Sequence, residues 1–89
     1  MKHLTISIYG EVQGVGFREA AYWKARKLHL GGFIMNEPNG SVYVEAEGDE
    51  VDLREFLTWC HHGPSTAKVE RVEAAWSEAR GKFTGFRIA

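Results

Sequence analysis

Apolar and polar residues alternate almost from the start of the chain, where Leu4, Ile6 and Ile8 are separated by Thr5, Ser7 and Tyr9. A period of two puts the aliphatic side chains on one face of a strand, and Gly10 marks its end. The period then lengthens. Between residues 17 and 28, Phe17, Ala20, Ala21, Ala25 and Leu28, with the aliphatic stem of Lys24, recur at the spacing of an amphipathic helix. Gly31-Gly32 leads into a second strand over residues 33–36, and Glu37-Pro38-Asn39-Gly40 carries the proline and the Asn-Gly pair of a tight hairpin. Val42, Val44 and Ala46 alternate with Ser41, Tyr43, Glu45 and Glu47 in a third strand that stops at Gly48. Asp49 is placed to cap a second helix, in which Leu53, Phe56, Leu57 and Cys60 share a stripe before Gly63-Pro64 ends it. Residues 67–77 read as a fourth strand whose alternation changes phase between Val69 and Val72, so a bulge is expected near Glu70-Arg71. Residues 83–88 give a short last strand.

The order strand, helix, strand, strand, helix, strand predicts an α+β fold: the ferredoxin-like split βαβ sandwich, with two helices on one face of an antiparallel sheet and a short extra C-terminal strand. Right-handed crossovers place the first and third strands in the middle. A chain of 89 residues, 44% of them hydrophobic, has apolar surface for one core under one sheet, so residues 1–89 are expected to be a single domain.

Charge narrows the partners. The 11 basic and 12 acidic side chains are scattered and leave a net charge of −1, without the basic footprint of a nucleic-acid binder. The aromatic-rich strand motif of RNA-binding modules of similar topology is also missing from residues 41–47. No apolar run of signal-peptide or membrane-spanning length is seen, and the one cysteine, Cys60, cannot form an internal disulfide. The expectation is a cytoplasmic monomer with no nucleic-acid or membrane partner.

Chemistry concentrates in Gly10-Glu11-Val12-Gln13-Gly14-Val15-Gly16-Phe17-Arg18, which leaves the first strand and opens the first helix. Glycines there let the backbone turn and bring its amides close to an anion, where the helix start already favours a phosphate. Arg18 adds a planar guanidinium able to grip two phosphate oxygens. On pattern alone an ordinary glycine-rich turn with a surface arginine fits equally well. The spacing is neither that of a dinucleotide fingerprint nor that of a P-loop. No paired carboxylates, Ser/His/Asp arrangement or metal-ligand set accompanies it, and no cofactor is implied. Cys60-His61-His62 falls on successive positions about 100° apart on a helix, too divergent for one ion. Trp23, Trp59 and Trp76 read as packing or half-buried surface rather than a cofactor site.

This glycine-rich segment resembles the signature of acylphosphatases. Gly32-Phe33-Ile34-Met35-Asn36 resembles a second block of that family, Asn39-Gly40-Ser41-Val42 continues it, and Pro64-Ser65-Thr66-Ala67-Lys68-Val69 resembles a third, so the likeness runs through the whole chain. It implies hydrolysis of the carboxyl–phosphate bond of acyl phosphates without a metal or a covalent intermediate. It further implies that Arg18 and the backbone amides of Gln13, Gly14, Val15, Gly16, Phe17 and Arg18 bind the phosphoryl group, while the side-chain amide of Asn36 orients the water. The same domain occurs fused to larger proteins such as hydrogenase maturation factors, which leaves a non-catalytic anion-binding module as the alternative. Three positions depart from the family. His29 stands where a glycine usually ends the first helix, and is expected to adopt the left-handed conformation. Met35 replaces a basic residue beside Asn36, weakening long-range attraction of an anion, and Asn39 replaces an aspartate before Gly40.

Overall fold

The computed structural model describes residues 1–89 as β1 (Lys2–Glu11), α1 (Phe17–Lys27), β2 (Gly31–Asn36), β3 (Val42–Gly48), α2 (Glu50–Cys60), β4 (Lys68–Glu78) and β5 (Phe86–Ile88). The strands form one sheet in the order β4-β1-β3-β2-β5. The β1–β3 pair stands inside it, as the crossover rule requires. Antiparallel ladders join β1 to β3, β1 to β4 and β2 to β3, whereas β5 lies parallel to β2, so the sheet is mixed. The last strand is shorter than its alternation indicated because Phe83 leaves the sheet edge and packs near the rings of His3 and Phe33, 6.1 Å from each.

Register explains the core. Leu4, Ile6 and Ile8 stand opposite Ala46, Val44 and Val42, and all six are fully buried with Ile34 beneath the helices. From the helices, Phe17, Ala21 and Ala25 of α1 and Leu53, Phe56 and Cys60 of α2 pack onto them. Burying one large aliphatic side chain contributes about 1.5–3 kcal/mol. That packing is what holds the helices: each has 11 residues, below the roughly 12–15 at which an isolated helix persists in water.

The expected bulge is present, since Tyr9 pairs with Arg71 but Gly10 pairs with Val69, leaving Glu70 extra on β4. His29 has φ +57°, and the N–H of Leu30 reaches back to the carbonyl of Ala25 at 3.0 Å to close α1. Asp49 is a correction. It occupies the N-cap position of α2 with extended backbone, but its side chain makes no hydrogen bond to the helix. At the other end of α2, Cys60 points into the core, where burial pushes its thiol pKa up, while the exposed His61 ring meets the carbonyl of Leu57 at 3.0 Å. The two side chains diverge, as their positions on the helix dictate.

Between β4 and β5 the chain passes under one end of the sheet and is fastened to Glu47. The Glu47 carboxylate accepts the N–H of Arg80 at 2.8 Å and of Gly81 at 3.0 Å, and lies 2.7 Å from Nδ1 of His3. His3 Nε2 lies 3.2 Å from Glu45. Burial by itself would raise the Glu47 pKa; the Arg80 amide, the His3 ring and the Gly81 amide outweigh it and hold the carboxyl below its ordinary value. Nearby on the same open face, burial and a 2.6 Å hydrogen bond to Glu45 push the Tyr43 phenol up to about 12.

Candidate active site

The opposite end of the sheet is built differently. The connection from β1 to α1 turns through Gly14 and Gly16, with φ +72° and +81°, and a Cβ on either would meet nothing within 4 Å. Glycine is needed there for the backbone angle and not for space. Gly16 is the N-cap of α1, so no side chain caps the helix. No backbone N–H from Gln13 to Arg18 donates to an acceptor of the protein itself. The positive end of the helix dipole adds to these free donors.

This open turn is nevertheless held in place. Val12 and Phe17 on either side are buried, and the Phe17 ring lies 5.4 Å from that of Trp59. Thr66 Oγ1 donates to the carbonyl of Val15 at 2.6 Å. The Gln13 side chain donates to the carbonyls of Glu37 and Ser41 at 2.8 and 2.9 Å. A rigid scaffold carrying unpaired donors is suited to binding an anion without reorganising.

Arg18 and Asn36 meet here. Both line a cleft of about 280 Å³ together with Val12, Gly14, Gly16, Phe17, Glu19 and Ile88. Arg18 stands in the first turn of α1 and makes one 3.5 Å hydrogen bond, from Nη1 to the main-chain oxygen of Ala89. Asn36 is the last residue of β2, two positions beyond the buried Ile34, so strand alternation sends it toward the helix side at the start of α1. Its Oδ1 is buried and without a hydrogen-bond partner. An orphaned acceptor of this kind costs about 1–3 kcal/mol in a folded protein, and Asn36 Oδ1 gives the fold no hydrogen bond in return.

Of the residues expected around the phosphate, Gly14, Gly16, Phe17 and Arg18 line the cleft with Asn36, and Gln13 and Val15 do not. Gln13 spends its side chain on the hairpin, and Val15 packs partly against the core. Sequence reading missed Val12, Glu19 and Ile88 as lining residues and Thr66 as an anchor. Glu19 follows Arg18 directly and could have been found; Ile88 could not, because it enters through the parallel pairing of β5 with β2.

Residues 4–88 match the sequence pattern of the acylphosphatases. The chain belongs to the acylphosphatase family. An acylphosphatase of Salinibacter ruber is 45% identical over 98% of this chain and 92% of its own length. The crystal structure of acylphosphatase from Bacillus subtilis superposes with a TM-score of 0.96 at 32% identity, covering 100% of this chain and 99% of that one. The HypF protein of T. kodakarensis gives 0.86 at 29% identity, with this chain matching 12% of its length. The acylphosphatase fold thus occurs at this chain's own size and also as a small part of a larger protein.

Proposed function

We propose that this acylphosphatase hydrolyses the carboxyl–phosphate bond of acyl phosphates in the cleft between α1 and the end of β2, with Arg18 and Asn36 in separate roles. The backbone amides from Gln13 to Arg18 and the Arg18 guanidinium hold the phosphoryl group, offsetting charge on its oxygens as the bond to the acyl oxygen lengthens. The Asn36 amide holds the attacking water on the far side of the phosphorus. Water oxygen bonds to phosphorus, the carboxylate leaves with the electron pair of the broken bond, and the water proton passes to a phosphate oxygen of the substrate. A carboxylate is a good leaving group, so the step needs no general acid from the protein, and positioning with charge neutralisation supplies the catalysis. In this reading no metal or cofactor takes part and the chain works as a cytoplasmic monomer; none of its helices is long and apolar enough to cross a membrane.

The observation that carries the proposal is the convergence, in one cleft, of a helix start, an arginine and an asparagine amide with no structural partner. It is tested by hydrolysis of benzoyl phosphate in the presence of EDTA by the parent and Asn36→Ala. The variant is expected to fold and to lose about 10²–10³ in kcat, the usual worth of one positioned polar group. Parent-like turnover by Asn36→Ala would remove the water from Asn36. A parent that binds phosphate and releases none from benzoyl phosphate would instead favour a non-catalytic anion-binding module.

A further inference from the structure

The side chain of Gln13 lies outside the cleft yet joins its two halves. One hydrogen of its Nε2 goes to the carbonyl of Glu37 at 2.8 Å and the other to the carbonyl of Ser41 at 2.9 Å. Both partners are carbonyl oxygens, so the orientation of the carboxamide is decided by its surroundings. These two residues form the neck of the β2–β3 hairpin, where the N–H of Glu37 donates to the carbonyl of Ser41 at 2.9 Å. Glu37 directly follows Asn36. A neutral side chain that offers two hydrogens in one plane is a carboxamide, and at this reach a glutamine.

The remaining anchors of the turn point elsewhere. Phe17 packs on Trp59 of α2 and against Gly63, and Val15 is tied to Thr66 beyond α2. They hold the turn to α2 and the segment after it. Gln13 holds it to the hairpin that follows Asn36.

We infer that the Gln13 side chain is a positioning residue that sets the distance between a phosphoryl group on the α1 turn and the water at Asn36. The inference rests on the role proposed above for Asn36. Attack on phosphorus needs the water oxygen about 3–3.5 Å away and in line, and a misplacement of about 1 Å costs on the order of 10²-fold. The α1 turn keeps its own anchors when the Gln13 bonds are lost, so phosphate binding persists while the water moves off line.

Gln13→Met keeps the length of the side chain and removes both donors. It is expected to lower kcat for benzoyl phosphate about 10-fold, on the scale of a misplacement well under 1 Å. The inhibition constant of inorganic phosphate is expected to change by less than about 2-fold, because uniform binding is untouched. In the Asn36→Ala background the same substitution should leave kcat unchanged. A parent-like kcat in Gln13→Met would overturn the inference, and so would an equal loss with and without Asn36. A loss of phosphate affinity in step with kcat would likewise overturn it, by making Gln13 a structural support of the turn. If Gln13→Met does not fold, Gln13→Leu, which is neutral and likewise offers no donor, is read by the same criteria. Parent-like turnover by Asn36→Ala alone would overturn the Asn36 assignment first and is read separately from the cycle.

Discussion

The two ends of the β1–β3 pair solve the same electrostatic problem with opposite outcomes. At one end the N–H groups of Arg80 and Gly81 and the ring of His3 converge on the Glu47 carboxylate, and the site is closed by the protein's own charge. At the other end the amides from Gln13 to Arg18 have no acceptor in the protein, and Arg18 makes only one long hydrogen bond. Donors that find an internal acceptor stabilise the fold, whereas donors fixed in place without one are available for a ligand. The contrast separates structure from function more sharply than residue type does, because the closed end carries the more conspicuous ionisable cluster.

The sharpest way to break this comparison is to remove the principal charge at each end. Arg18→Ala is expected to lower kcat/KM for benzoyl phosphate by about 10³-fold, roughly 4 kcal/mol of transition-state stabilisation. Its midpoint of denaturant unfolding should stay at the parent value, since the side chain contributes one 3.5 Å contact to the fold. Glu47→Ala should reverse the pattern. It leaves two amides and an imidazole without their acceptor, at a cost of about 3 kcal/mol in unfolding free energy. Turnover of the folded fraction should match the parent. If Glu47→Ala left stability unchanged, or Arg18→Ala lowered it comparably, the division between a closed and an open end would be wrong.

Much of the open end was legible in the sequence because its demands are local. Gly14 and Gly16 announce a backbone that only glycine adopts freely, and Arg18 falls one residue into the helix they introduce. The bulge at Glu70 was legible for the same reason, as a break in alternation between Val69 and Val72. Asn36 needed a resemblance to a known family, since nothing about an asparagine at the end of a strand says which helix it faces. Ile88 and the Glu47 cluster were not legible. Both depend on residues far apart in sequence: β5 joins β2 in parallel, and Arg80 and Gly81 meet a residue more than thirty positions earlier. Even Asp49, a good capping residue in a capping position, does not cap.

Acid sharpens the comparison most gently, because it can discharge Glu47 without altering the chain. Hydrogen bonds from Arg80, His3 and Gly81 outweigh the opposing effect of burial and hold the folded-state pKa of Glu47 below 4.5, its unperturbed value. The folded chain therefore binds that proton less readily than the unfolded chain does. The stability contributed by ionised Glu47 is fully present above pH 4.5 and is lost as pH falls through the lower folded-state value. Glu78 is lowered as well, by its hydrogen bond to Lys2, so the effect of Glu47 has to be isolated. Glu47→Gln keeps the shape and one acceptor but cannot titrate. Unfolding free energy measured from pH 6 to pH 3 should fall more steeply in the parent than in Glu47→Gln, by up to one bound proton in slope, while Glu78→Gln follows the parent at the Glu47 step. Parallel curves for the parent and Glu47→Gln would mean that the closed end is held by shape and not by the charge of its carboxylate.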